Sequence, residues 1–395
     1  MTQVGKDSVT RSERVKVLFV THAFSHEGPR RQMDALADLV TLKVVAPPIW
    51  KEIQWPVRGR DVGGYMEEYP RLKLFGHQYL LATISMGIRS FRPDVIHIDY
   101  EPWSLIFWQV RMITAASSRG ARVVSGGKKN TFRRYPGIVG KGKKTLARLG
   151  LSLTDQIEAG SQMAADMYER EFNLPRNRLT VITHMGVDVE VFRPGTGRQG
   201  ADKTVRIGYC GQFSEHKGVW DLILAVRTLC EEGLSVSLEM LGDGPMRTKL
   251  EQVAQTERWL TLKNPVESDQ VADFMRQLDI FVLPSRILPD HQEHDAHALL
   301  QALACGVPAI GCRSGIIPEI LGDGVGVLAE VEAPEDLAKA ISDLAGDEGR
   351  RNALAKISRR EIESHYSFQR VAERRAQNYE MLTRSNLSLP RVDMK

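Results

Sequence analysis

Between Pro284 and Gly311 the chain reads PSRILPDHQEHDAHALLQALACGVPAIG. This is a polar run holding His291, His294 and His297 with Asp290, Glu293 and Asp295, followed at once by an apolar helical pattern. Gly306 and Pro308 are the usual stop signals of a helix, and VPAIG reads as a short buried strand. The polar run is therefore a loop that ends at a helix N-terminus. Unpaired backbone N–H groups and a partial positive charge make such an end a seat for phosphate. The histidines recur every three residues, but they straddle a loop and a helix start, lack the His-x3-His spacing and have no evident fourth ligand. No metal site is read from them.

A second place of this kind is GQFSEHKG, from Gly211 to Gly218, which runs into the helical pattern VWDLILAVRTL. Lys217 stands in the turn, where a cation and a helix N-terminus jointly suit a diphosphate; a solvated turn lysine is the plainer reading. Gly242 and Gly244 in LGDGPMRTKLEQVA mark another strand-to-helix turn, shaped by Asp243, and Gly315 and Pro318 mark a third. Near the start, Gly28, Arg30 and Arg31 of SHEGPRRQ follow the first strand at a helix start and are candidates for anion binding, against simple capping. His97 and Glu101 of HIDYEPWS are placed at a strand end facing a cleft, Glu101 as a substrate contact or a capping acid. From Lys128 to Arg148 there are eight Lys or Arg and no acid, interleaved with Phe132, Tyr135 and Ile138. That segment is either a solvated face or a surface for anionic lipid or an acidic, pyrophosphate-bearing acceptor.

Parallel sheets can position all of these. Short β-branched runs (VKVLFV, LKVVA, DVIHI, ARVVS, LTVIT) alternate with helical patterns, as in an α/β protein with crossover helices. FRPGTGRQGADK, residues 192–203, interrupts the series as a linker, after which VRIGYCG, VSLEMLG, DIFVLPS and VPAIG restart it. Two doubly wound halves are predicted, with ligands at the carboxyl ends of their strands. In SFQRVAERRAQNYEMLTR the residues Phe368, Val371, Ala372, Ala376, Tyr379 and Leu382 form an apolar stripe that must dock, expected across the first half.

At 395 residues the chain can hold two or three domains, each with a full core. Its composition, 42% hydrophobic and 26% charged, is that of an ordinary globular protein. A net charge of +4 and a pI of about 8.8 are too mild to indicate a nucleic-acid partner. Cys210, Cys230, Cys305 and Cys312 lie in apolar contexts without Cys-x-x-Cys spacing and are read as reduced core thiols. MTQVGKDSVTRSERVK is polar, unlike a signal peptide, and no apolar run nears the ~20 residues of a membrane span. The expected location is cytoplasmic, with a peripheral place at the inner membrane face if the basic segment meets lipid.

Taken in order, GYCGQFSEHKGVWDLILAV, LEMLGDGPMRTKL, LDIFVLPSR, LLQALACGVPAIGCRSGIIPEIL and VITHMGVDVEVFRP resemble the retaining nucleotide-sugar glycosyltransferases of glycosyltransferase family 4. The resemblance runs along essentially the whole chain, with its more specific motifs in the second half. VKVLFVTHAF and FRPDVIHIDYEPWS fit the N-terminal pattern of one bacterial branch. It implies the GT-B fold: two Rossmann-like domains facing across a cleft, an acceptor domain over residues 1–195 and a nucleotide-sugar domain over 204–365, with residues 366–395 crossing back to the first.

That family's Glu-x7-Glu motif falls on Glu293, implied to orient the donor sugar, and on Gln301, which replaces the ribose-binding glutamate. Glutamine still accepts and donates hydrogen bonds, so charge is what is lost. Phe-Gly after the first glutamate is replaced by Asp295 and Ala296. Many members also place an arginine five residues before the diphosphate lysine. Here Gln212 precedes Lys217, beside Gly211, and Arg286 and Arg313 are expected to supply the missing cation. His297 and Ala298 would add the helix N-terminus. VVSGGKKNTFRRYPG lacks a histidine common on the acceptor side, and Asn130 with its neighbouring lysines is expected near the donor sugar. The implied reaction uses a nucleoside diphosphate sugar, UDP-linked by expectation, and a hydroxyl acceptor, with no cofactor or metal. Gln212, Gln301 and the missing histidine also motivate a rival reading, a relative with a decayed site that binds without turnover.

Overall fold

The computed structural model describes residues 14–22, 27–46, 49–50, 53–54, 64–68, 71–75, 78–82, 84–118, 120–127, 137–195, 203–289 and 291–384. Its first half contains strands β1 (Lys16–Val20), β2 (Thr41–Ala46), β3 (Ile49–Trp50), β4 (Ile53–Gln54), β5 (Met66–Glu68), β6 (Arg71–Phe75), β7 (Gln78–Leu81), β8 (Val95–Ile98), β9 (Arg122–Gly127), β10 (Gln156–Ala159) and β11 (Leu179–Val181). Seven of them form a parallel sheet in the order β11-β10-β9-β8-β1-β2-β5, while β3–β4 and β6–β7 are antiparallel pairs. The second half contains β12 (Val205–Cys210), β13 (Val236–Leu241), β14 (Leu260–Lys263), β15 (Ile280–Leu283), β16 (Ala309–Cys312) and β17 (Val327–Ala329), parallel in the order β14-β13-β12-β15-β16-β17. β15 and β16 are buried at every residue, which is why they read as unbroken apolar runs, and β8 is buried throughout although it carries His97.

Strand order reverses beside β1 in the first sheet and beside β12 in the second. The crevices between β1 and β8 and between β12 and β15 are therefore where ligands of doubly wound sheets bind. Loops Gly211–Gly218, after β12, and Pro284–Ala296, after β15, flank the second crevice.

Alternation along β1 builds two separate layers. Leu18 and Val20 pack with Ile84, Ile88, Ile106, Phe107 and Val110 on one face. Val17 and Phe19 pack on the other with Met33, Leu36, Ala372, Ala376, Tyr379 and Leu382. The last four come from the final helix, Phe368–Arg384, which crosses back as expected. Arg375, on the same face, was no part of the predicted apolar stripe. It is 1% exposed and its guanidinium meets the buried Glu158 carboxylate at 2.7 Å. Tyr379 Oη lies 2.7 Å from His97 Nδ1, and Asn378 donates to Gln156 at 2.5 Å. His97 is thus a core residue stacked on Phe19 beneath this helix, a correction to its expected place facing the cleft.

Both crossings between the domains run against each other: Val187 N donates to the Tyr366 carbonyl and Phe368 N to the Val187 carbonyl. Val187 and Phe192 pack into the core of the second domain although they precede residue 195. No helix among the described residues is long and apolar enough to cross a membrane.

Candidate active site

Lys217 is carried by a one-turn 3-10 segment, Glu215–Lys217, that ends at Gly218 in the left-handed region, φ 65°. A Cβ at Gly218 would lie 1.8 Å from the Pro284 carbonyl oxygen. Only glycine lets this turn rest against the end of β15. Glu293 is seated by a similar device, since a Cβ at Gly315, φ 54°, would lie 1.7 Å from the Glu293 carbonyl oxygen. Ile316 N donates to that carbonyl and Glu293 N donates to Ser314 Oγ. Two strand-to-loop turns and the start of helix Ile317–Leu321 therefore fix the position of one carboxylate.

This carboxylate is 2% exposed. Its Oε2 accepts from Lys217 Nζ at 2.6 Å and from Ser285 Oγ at 2.7 Å. Burial alone would raise its pKa; the charge of Lys217, the hydrogen bonds from Lys217 and Ser285, and His294 outweigh burial and hold it down to about 2. It is a fixed anion, suited to accepting hydrogen bonds rather than to moving protons near neutral pH.

Imidazoles ring the pair. His216 and His291 lie 4.5 Å apart edge to face, and His291 and His294 lie 5.9 Å apart. Burial first, then neighbouring cationic groups including Lys217, lowers the pKa of both His216 and His291. His297 opens the helix His297–Ala304, and burial pushes it down to about 4. Ala298 follows it and Gln301 lies one turn further along the same helix. Ala296, at the cap, has φ 18° and ψ 36°. His297, Ala298 and Gln301 thus follow Glu293 across the junction of loop and helix. No group of three or more His, Cys, Asp or Glu among the described residues is arranged to hold a metal ion.

Gln212, exposed just beyond Gly211, brings no charge to this crevice. Neither expected substitute is free to supply one. Arg286 is engaged in a bidentate pair with the buried Asp221, at 2.7 Å and 2.5 Å, with Glu332 at 3.5 Å. Arg313 is half exposed and pairs with Glu330 at 2.9 Å. Both arginines expected to add a cation here already hold ion pairs, Arg286 with a buried acid and Arg313 with an exposed one.

On the facing domain, helix Glu27–Ala37 begins before Gly28, so Gly28 lies in its first turn. Arg30 follows, half buried, and Arg31 pairs with Asp188 at 2.9 Å, so its charge is committed to the chain crossing. Glu101 is half buried just beyond β8. Asn130, with residues 128–136 of the basic segment, lies outside the described residues. Helix Gly137–Ser152 carries the remainder: Lys144 pairs with Glu171, and Ile138 is 86% exposed. Sequence reasoning overlooked Asp99, a 1% exposed acid that accepts from Thr21 Oγ1 at 2.6 Å with the His184 ring 3.8 Å away. It also overlooked Glu319 of helix Ile317–Leu321, whose carboxylate accepts from Gln162 N at 2.8 Å and Met163 N at 2.9 Å across the domains. A cavity of about 630 Å³ lies by Arg89, Arg92, Asp94 and Ser117, at the amino ends of β8 and β9 and so opposite the ligand-binding ends of the strands.

Residues 197–361 match the family model described as glycosyl transferases group 1. Among curated proteins, spore coat protein SA of Bacillus subtilis is 27% identical over 51% of this chain and 58% of its own length. A GDP-mannose-dependent alpha-(1-6)-phosphatidylinositol dimannoside mannosyltransferase of Mycobacterium tuberculosis is 28% identical over 49% of this chain and 50% of its own. The chain spans about half the length of the curated relatives it matches. The crystal structure of Anabaena HepE in complex with UDP superposes with a TM-score of 0.72 at 14% identity, covering 93% of this chain and all of that one. The two-domain α/β architecture is that of the GT-B fold.

Proposed function

We propose, from the premise that residues 197–361 form a glycosyl transferases group 1 domain within a GT-B fold, that this protein transfers a sugar from a nucleoside diphosphate sugar to a hydroxyl acceptor with retention at the anomeric carbon. The observation that carries the reading is the buried Glu293 carboxylate, held ionised against Lys217 at the crevice between β12 and β15. Lys217 and the N-terminus of helix His297–Ala304 take the diphosphate, whose negative charge grows as the sugar leaves. Glu293 then turns to the sugar hydroxyls and Gln301 accepts from the ribose. No enzyme nucleophile is required if the departing diphosphate takes the acceptor's proton on the same face; the protein contributes positioning and charge stabilisation. The acceptor approaches from the facing domain, near Glu101 and Arg30.

Donor chemistry divides between the relatives, one acting on GDP-mannose and one structure holding UDP. UDP-linked sugars are the first choice here, with GDP-linked sugars tested beside them. The exposed cationic helix Gly137–Ser152 is proposed to touch anionic lipid or an acidic acceptor. The deciding experiment is release of nucleoside diphosphate from a panel of donors, with and without acceptor. Slow donor hydrolysis supports the transferase. Tight nucleotide binding without turnover on any donor replaces it with a binding protein of the same fold.

A further inference from the structure

The crevice has one cation at its turn where the reading above calls for more, because Arg286 is paired with Asp221 and Gln212 is neutral. Imidazoles stand in the same place. His216 is the residue before Lys217, and its ring meets His291, which meets His294, on the two loops that hold the Lys217–Glu293 pair. His291 Nε2 is buried with no hydrogen-bond partner among the described residues, although an imidazole nitrogen in that position ordinarily has one. Ser214 Oγ is 3.4 Å from His216 Nε2, a contact too long to hold that ring firmly.

We propose that His216 and His291 form a proton-accepting anion subsite beside Lys217, which takes up about one proton when the donor's diphosphate binds and so supplies the second cation only in the occupied site. The inference rests on the donor reading of this crevice. Its physical basis is the set of charges that face the rings. Lys217 and the neighbouring imidazoles disfavour protonation of His216 and His291 in the empty crevice, and Glu293 opposes them only in part because it is already paired with Lys217. Arg286 and Glu215, 3.8 Å apart at the outer side of the turn, offset one another. A bound diphosphate draws Lys217 toward itself and places negative charge among the rings, which reverses the balance and favours the imidazolium. A neutral, unpartnered Nε2 becomes a charged donor to a phosphate oxygen.

Calorimetry tests this with UDP-glucose and GDP-mannose, whose diphosphate diesters do not themselves titrate near neutrality. Titrations at about pH 7 in buffers of different ionisation enthalpy read the protons taken up, and a series from about pH 6 to about pH 8 reads the affinity. The expected result is uptake of roughly one proton at about pH 7 and an affinity that falls about tenfold per pH unit around that pH, with uptake lost and the profile flattened in the double variant H216Q/H291Q. A thermal melt of that variant confirms its fold. Binding with no proton uptake, or uptake unchanged in the variant, overturns the subsite and leaves the donor reading standing. Binding of neither nucleotide sugar overturns both.

Discussion

Lys217 Nζ and Glu293 Oε2 lie 2.6 Å apart, so the two groups assigned to opposite ends of the donor are each other's partner. On the proposed reading both exchange partners when donor enters, the lysine to phosphate and the carboxylate to hydroxyls. Replacing Glu293 by glutamine keeps the shape and removes the charge. The expected outcome is a loss in kcat/KM equivalent to roughly 2–3 kcal/mol, with affinity for free nucleoside diphosphate unchanged or slightly higher because Lys217 is released. Steady-state kinetics beside calorimetry checks the split.

Gln301→Glu is expected to act in the other direction. A carboxylate facing the ribose should tighten free nucleotide by up to about tenfold, since a charged acceptor is worth roughly 1 kcal/mol more than a neutral one. Calorimetry on this variant and on Glu293→Gln separates the two roles. If Glu293→Gln abolishes nucleotide binding and Gln301→Glu leaves it untouched, the register placed on EHDAHALLQ is wrong.

Acid should destabilise the fold in two windows. His297 is favoured neutral in the folded chain, so its contribution is fully present above its ordinary pKa of 6.5 and is lost as pH falls through about 4. Glu293 is favoured ionised; its contribution is present above 4.5 and is lost as pH falls through about 2. Each step should be worth on the order of 1–3 kcal/mol. Chemical denaturation at stepped pH would show the upper window vanish in His297→Leu and the lower one persist.

Glu319→Gln weakens, and Glu319→Ala removes, the hydrogen bonds that bridge the domains at the start of helix Gln162–Phe172. A carboxylate there also complements the positive end of the helix dipole, so about 1–2 kcal/mol of interdomain contact is expected to be lost. Small-angle scattering should report a larger radius of gyration for the alanine variant, with both cores intact by circular dichroism. An unchanged scattering curve would show that the bridge does not set the domain spacing.

Chelation is expected to leave turnover intact, because no group of three or more His, Cys, Asp or Glu among the described residues is arranged to hold a metal ion. Loss of activity in EDTA, restored by magnesium or manganese, would contradict the diphosphate site drawn here.

What could be read from the sequence was what is local. Lys217 and Glu293 stand out because each lies between an apolar strand and a helix start, and the strands from Ile280 and Ala309 are continuous apolar runs. The fates of Arg286 and His97 were not legible. Asp221 reaches Arg286 from 65 residues away, and Tyr379 reaches His97 from 282 away, so no window of sequence contains either pair. Glu319 looks like an ordinary acid in the first turn of its own helix, while its carboxylate serves a helix 157 residues earlier. β14 and β17 were passed over because four and three residues leave little room for a pattern.

The final helix has a bearing on how the chain is made. Val17, Phe19 and Val44 leave the ribosome well before Ala372, Ala376, Tyr379 and Leu382 of the layer that covers them. The domain translated first is thus the one completed last, and during elongation one face of its sheet stays open with Glu158 and His97 still awaiting Arg375 and Tyr379. The nascent chain therefore carries an exposed apolar surface while the second domain is being made, the condition under which holding chaperones bind.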